Sequence, residues 1–243
     1  MATKNWKIGE IIFLCLTTLA SVVVFAVVEN RNWLSFCCSI IGIVSMFLFS
    51  KGFVIAPILG VIYDGFYIAV AATQRFWGEV IIFAAIMIPV EMASIFNWFK
   101  NKNNENPALV KSNKIHKKEW CVLGGVVLCA TVGLYFLLQA LNTNQLIVNT
   151  LSLAANSVGV YLMFRRSKYY SIAYCIDDLV GIVLWSLAVA TAGVQFLPSL
   201  VCMISFALID FYGFVVWTKK DKEVQSNHQT LQNDSSQNKE IND

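Results

Sequence analysis

The chain has 243 residues, 57% hydrophobic and only 14% charged, with a formal net charge of +3 and a mean hydropathy of +0.63. Soluble domains run nearer a quarter charged, so the composition excludes a disordered chain, a disulfide-built secreted module and an ordinary cytosolic enzyme. The basic residues form no stripe, which argues against a nucleic-acid partner; what remains is a polytopic protein whose partner is the lipid bilayer.

Eight apolar segments follow one another, roughly 8–28, 32–50, 53–74, 76–99, 119–140, 146–164, 170–192 and 196–217. Each is long enough to cross a hydrocarbon core of about 30 Å as a helix, and the alternation of barrel strands is absent. Lys4 and Lys7 precede the first segment, but no small-residue cleavage site and soluble domain follow it, so it reads as a retained span. The loop from Asn101 to Lys118 is rich in Asn and Lys and contains Pro107, and the tail from Asp221 to Asp243 is polar. Both are expected to be solvated and flexible. With eight spans, 16 of the 18 Lys and Arg residues fall on one side, leaving Arg31 and Arg75 on the other. The excess of basic residues in cytoplasmic loops then places both termini in the cytoplasm.

Spans 2 and 6 align without gaps. Ser35, Gly42, Met46, Phe47 and Lys51 match Ser152, Gly159, Met163, Phe164 and Lys168 at an offset of 117. Trp98 matches Trp217 at an offset of 119, which also superposes Glu91 on Asp210. Spans 2–4 and 6–8 therefore read as two three-helix units. A unit of three reverses direction, and the single span between them restores it, so the repeats are parallel, with a site expected at their interface.

Several chemistries have no residues to carry them. His116 and His228 lie in loops without spaced partners, and the seven cysteines have no metal-ligand spacing, reading instead as small buried hydrophobes. No phosphate-binding glycine loop or nucleophile–base set is present, so neither an enzyme nor a cofactor is expected. Trp33, Trp77, Trp120 and Trp217 read as anchors at the membrane interface.

The charges inside the spans are all acidic: Glu10, Asp64, Glu79, Glu91, Asp177, Asp178 and Asp210. No Lys or Arg is expected deep in a span to pair with them, and an isolated carboxylate in lipid costs several kcal/mol. Glu10 and Glu79 lie near span ends and are expected to reach water. Asp64, Glu91, Asp177, Asp178 and Asp210 lie deeper; they either line a wet cavity and meet a cation or proton, or brace helices by hydrogen bonds. Tyr63 and Tyr67 share a helix face beside Asp64, and Tyr170, Tyr174 and Asp178 repeat the four-residue spacing in span 7. Tyrosine beside carboxylate suits a planar, hydroxyl-bearing, cationic solute; ordinary packing is the alternative.

At these residues the sequence resembles the PnuC family of vitamin and nucleoside transporters, whose best-known members carry nicotinamide riboside. The likeness covers spans 2 to 8. It rests on Tyr63 and Tyr67, Trp77-Gly78-Glu79, Pro89-Val90-Glu91 running to Trp98, Asn149-Thr150-Leu151-Ser152, Tyr161-Leu162-Met163-Phe164-Arg165-Arg166, and Gly213 to Trp217. Where riboside carriers follow Arg-Arg with Trp-x-x-Trp-x-x-x-Asn, this chain has Ser171, Tyr174 and Asp178; a usual Gln is Glu91 and a usual Asp is Asn149.

The resemblance implies an all-α membrane protein of eight helices, one extra N-terminal helix plus a 3+1+3 repeat related to the SWEET carriers, assembled as a homotrimer. The chain then divides into an extra helix (1–31), a first repeat (32–100), a loop and linking helix (101–145), a second repeat (146–218) and a tail (219–243). The implied function is facilitated diffusion, by alternating access, of a nucleoside-like vitamin precursor across a bacterial cytoplasmic membrane. Nicotinamide riboside leads, with thiamine, riboflavin or a deoxynucleoside as alternatives, and an intracellular kinase would trap the solute without stable binding. The candidate substrate-binding residues are Tyr63, Asp64, Tyr67, Glu91, Asn149, Ser152, Asn156, Tyr174, Asp178 and Asp210. Proton-coupled transport, and a non-transporting scaffold or sensor, are the rival readings.

Overall fold

The structure, a computed structural model, describes residues 6–240 apart from Asn30 and Glu105, with side chains as far as Asp221. Among the described residues eight helices are long and apolar enough to cross a membrane. They are α1 (Ile8–Val27), α2 (Trp33–Lys51), α3 (Ala56–Thr73), α4 (Trp77–Lys100), α5 (Lys117–Ala140), α6 (Leu146–Phe164), α7 (Tyr169–Ala192) and α8 (Leu197–Glu240). The apolar runs of the sequence coincide with them to within a few residues, apart from the far end of α8, because in lipid only a helix satisfies its own backbone.

Local chemistry sets the ends. Asn32 caps α2 by accepting the Ser35 N–H at 3.0 Å, and Gly52 ends it in the left-handed region at φ +71°. Pro57 opens α3, where its missing N–H is no loss.

Neighbouring helices close a ring in the order α2, α3, α4, α6, α7, α8 and back to α2. α1 lies outside it against α2 and α8, and α5 packs chiefly on α6. Between the helix ends, the exposed side chains of α1 and α5 are apolar, among them Leu16, Leu19, Val122, Val126 and Phe136, as a lipid-facing surface requires.

Four expectations are corrected. The 101–118 loop is docked, with Val54 N–H donating to Ala108 O at 3.0 Å, Val110 N–H to Gly52 O at 2.9 Å and Asn113 N–H to Arg166 O at 3.0 Å; Val110 is buried. The polar tail continues α8 as far as Glu240, and Asp221 meets Lys168 at 3.4 Å and accepts the Ser112 hydroxyl. Cys15, Cys121 and Cys129 are exposed on the outer faces of their helices, and only Cys38 and Cys202 are buried. Trp217 is fully buried, as is Trp98, with ring centroids 6.1 Å apart.

Glu10, expected to reach water, is only 7% exposed. It is buried and pairs with Lys51 Nζ at 2.7 Å, while the Tyr212 hydroxyl donates to its other oxygen. A buried lysine at the end of α2 therefore exists. The pair ties α1 to the ring, since each charge would be costly alone.

Candidate functional site

The ring encloses a cavity of about 50 Å³. That is well below the ~300 Å³ at the small end of pockets for drug-sized ligands, so admitting such a solute requires the helices to move apart.

Helix α4 supplies one wall through residues four apart: Glu79, Phe83, Met87 and Glu91 all line the cavity. In a regular α-helix such a row drifts steadily round the axis. Here a π turn occupies Phe83–Met87, with the Ile88 N–H reaching back to Phe83 O. It takes one residue more than an α turn and keeps the row on one face. Pro89, two residues beyond it, has no N–H to give, which removes one α-type bond next to the π turn.

Helix α3 faces α4 with Tyr63, Asp64 and Tyr67. Gly60, one turn before Asp64, admits the Glu91 carboxyl: a Cβ there would lie 2.2 Å from Glu91 Oε2. The Asp64 and Glu91 carboxyl groups lie within hydrogen-bonding range of each other, yet neither oxygen of Asp64 has a partner among the described donors. Trp185 Nε1–H donates to the Tyr67 hydroxyl at 3.2 Å, and Tyr67 donates to Glu79 Oε2 at 3.2 Å.

Helices α6 and α7 complete the cavity. Ser152 and Asn156, one turn apart on α6, donate to the two oxygens of Asp177 at 2.7 Å each. Among the carboxyl groups lining the cavity, Asp177 alone accepts a described side-chain donor on each oxygen. Tyr174 and Asp178 line the cavity from the same helix, and the Asp178 carboxyl faces Asp210 on α8.

Eight of the ten candidate residues line the cavity: Tyr63, Asp64, Tyr67, Glu91, Ser152, Asn156, Tyr174 and Asp178. Asn149 and Asp210 do not. Asn149 Oδ1 accepts the Glu79 N–H at 3.4 Å and so holds the start of α4, while Asp210 stands behind Asp178. The expectation that Glu79 reaches water is corrected: it is 2% exposed and lines the cavity. Asp177 was absent from the candidate set, although Ser152 and Asn156, spaced to bind one carboxylate, were the signal for it. No lining residue is a Lys, Arg or His.

Gly159 seats Tyr174, and a Cβ there would fall 2.6 Å from the ring carbon Cδ1. Exchanging a helical glycine for alanine ordinarily stabilises by about 0.5–1 kcal/mol. Gly159→Ala is expected to destabilise instead, by about 1–3 kcal/mol, because the stiff ring must move. Thermal unfolding in detergent measures the sign; a raised midpoint would show that the ring yields freely.

The family model for the nicotinamide mononucleotide transporter matches residues 32–219. The chain belongs to this family. It is a membrane transporter and not an enzyme. The nicotinamide riboside transporter PnuC of Neisseria mucosa is 23% identical over 221 residues, covering 88% of this chain and 82% of that one. PnuC of Haemophilus influenzae is 25% identical over 222 residues, covering 89% and 92%. A crystal structure of the vitamin B3 transporter PnuC superposes with a TM-score of 0.79 at 21% identity, over 90% of this chain and 94% of that one. The family match spans α2 to the membrane end of α8, the helices that form the ring together with α5, and leaves α1 outside.

Proposed function

We propose that this transporter carries a cationic, aromatic, nucleoside-like vitamin precursor, nicotinamide riboside first, by facilitated diffusion. The observation that carries the reading is the cavity lining: Asp64, Glu79, Glu91, Asp177 and Asp178 beside Tyr63, Tyr67 and Tyr174, with no basic residue among the lining residues. A pyridinium ring on a ribose meets these groups in kind. Its charge offsets carboxylates that are costly in lipid, its ring lies on tyrosine faces and its hydroxyls bond to carboxylate oxygens. The names of the curated relatives support the same substrate. Thiamine is the second reading, since Glu91 puts an acid where riboside carriers resembling this chain have Gln.

The wider reading is an extra N-terminal helix and a 3+1+3 parallel repeat, divided as 1–31, 32–100, 101–145, 146–218 and 219–243. The six-helix ring, with α1 and α5 outside it, supports it. The two units would rock about the cavity to give alternating access. Sixteen basic residues on one side support cytoplasmic termini in a bacterial cytoplasmic membrane. A homotrimer, and an intracellular kinase that traps the solute, follow from the family resemblance.

The test is direct binding of nicotinamide riboside, thiamine, riboflavin and deoxynucleosides to the purified protein. The two cationic solutes are expected to bind most tightly. A preference for riboflavin or a neutral deoxynucleoside would overturn the reading.

A further inference from the structure

A second pocket lies away from the cavity, where α1, α2 and α8 meet at the ends that carry basic residues. Its volume is about 770 Å³, within the range of roughly 300–1,000 Å³ usual for small-molecule sites. Lys7 reaches it from just ahead of α1, Lys51 from the end of α2, and Lys219 and Lys220 from α8. Glu10 is the one acid among the described lining residues, and its oxygens are already engaged. Oε2 accepts the Lys7 N–H and Lys51 Nζ at 2.7 Å each, and Oε1 accepts the Tyr212 hydroxyl. Four lysines against one glutamate leave the lining with a surplus of three positive charges.

The backbone concentrates that charge. Lys220 Nζ donates to Lys51 O at 2.5 Å and lies 5.2 Å from the centre of the Trp217 ring, which holds it over the end of α2. Gly52 makes the room, since a Cβ there would lie 2.9 Å from that nitrogen. Gly9, the second residue of α1, has open space where a Cβ would stand. The first turn of α1, whose N–H end favours anions, is therefore open to the same pocket.

The remaining wall is apolar. Phe13, Val215 and Val216 line it, and exposed apolar side chains continue from it toward the bilayer centre. These are Leu16 and Leu19 along α1, and Phe211 and Leu208 along α8. A positive end at the bilayer surface, joined to an apolar track running into the membrane, matches an amphiphile with a phosphate head. A soluble anion would use only the first half.

We infer that this pocket holds the headgroup of an anionic phospholipid. The phosphate accepts from the lysines, and the acyl chains lie along the exposed faces of α1 and α8. Each basic residue near the membrane surface attracts negative lipid, and basic pockets between spans concentrate that attraction. One lipid bridges α1 and α8, a second tie beside the Glu10–Lys51 pair. The family match begins at residue 32, so Lys7, Gly9 and Phe13 lie outside it. The site depends on the docking of α1 and is separate from the cavity that takes the solute.

The experiment titrates dioleoyl phosphatidylglycerol into the full-length protein in neutral detergent. It reads the thermal midpoint, and native mass spectrometry counts the bound lipid. Phosphatidylglycerol should raise the midpoint saturably, with one lipid bound per chain. Zwitterionic dioleoyl phosphatidylcholine and inorganic phosphate at the same concentration should leave it unchanged. Lys7→Gln combined with Lys219→Gln should weaken phosphatidylglycerol about 30-fold, from about fivefold per lysine. Both side chains are exposed, so the fold and solute binding should be unaffected. Lys117→Gln combined with Lys118→Gln removes two exposed lysines at the start of α5 and should change nothing. An equal shift from phosphatidylcholine, or equal weakening by the two double variants, would overturn the pocket as an anionic-lipid site. Inorganic phosphate as effective as phosphatidylglycerol would make it a site for soluble anions and remove the lipid.

Discussion

Asp177→Asn is expected to weaken binding of a cationic substrate by about 5- to 150-fold, the equivalent of about 1–3 kcal/mol for one charged partner lost. Among the carboxyl groups of the cavity, Asp177 alone receives a side-chain donor on each oxygen, from Ser152 and Asn156 at 2.7 Å. Such donors hold the carboxyl group in place at the cavity wall. Asparagine has the same shape and keeps a carbonyl oxygen for one of the two donors, so the change removes charge with little change in packing. A neutral nucleoside, bound through stacking and hydroxyl contacts, should lose much less. The measurement is the ratio of Kd values, variant to wild type, for nicotinamide riboside against uridine. An equal loss for both would make Asp177 a brace between α6 and α7 and not the charge that attracts the solute.

The spans were legible because lipid leaves the backbone no alternative to a helix. Their ends were legible where the sequence carries a device, such as Asn32, Gly52 or Pro57. The docked loop was not, because its backbone bonds go to Gly52 and Val54, whose availability depends on how α2 and α3 meet. The flexible loop read from Asn, Lys and Pro107 is what that composition gives when tertiary partners are unknown.

The site divides along a similar line. Tyr63, Asp64 and Tyr67 share a helix face by spacing alone, as do Tyr174 and Asp178, and all five line the cavity. Glu79 looked like a span-end residue, since it is the third residue of α4. Its place in the cavity depends on the π turn that keeps it in line with Glu91, and nothing in Phe83-Ala84-Ala85-Ile86-Met87 announces such a turn apart from Pro89 beyond it. The offset of 119 superposes Glu91 on Asp210 and leads both to be expected in the cavity wall, yet Glu91 lines it and Asp210 does not. It did not reveal that Asp210 stands one residue deep behind Asp178, which is a matter of helix rotation.

Trp217→Ala is expected to cost about 3 kcal/mol, near the low end for removing a buried tryptophan. Lipid tails are as apolar as the interior, so little is lost by transfer and the cost comes from the unfilled space. The sequence places Trp217 at a membrane interface, where truncation would matter little, but the side chain is fully buried. Its ring packs edge-on against Tyr170 with centroids 5.4 Å apart and against Trp98 at 6.1 Å. Its Nε1–H donates to Phe49 O at the end of α2 at 3.4 Å, an oxygen that also accepts the Tyr170 hydroxyl at 2.7 Å. Trp98 makes the mirrored connection, donating to Met163 O at the end of α6 at 3.4 Å. Each tryptophan thus ties together two neighbouring helices of the ring, α8 to α2 and α4 to α6. Trp217→Phe keeps most of the ring, and Phe49 O keeps Tyr170, so this variant should lose only about 1 kcal/mol. The thermal midpoint in detergent should fall by roughly 6–12 °C for Trp217→Ala and by a few degrees for Trp217→Phe. Equal midpoints for Trp217→Ala and wild type would return this residue to the interface belt and show that it does not join α8 to α2.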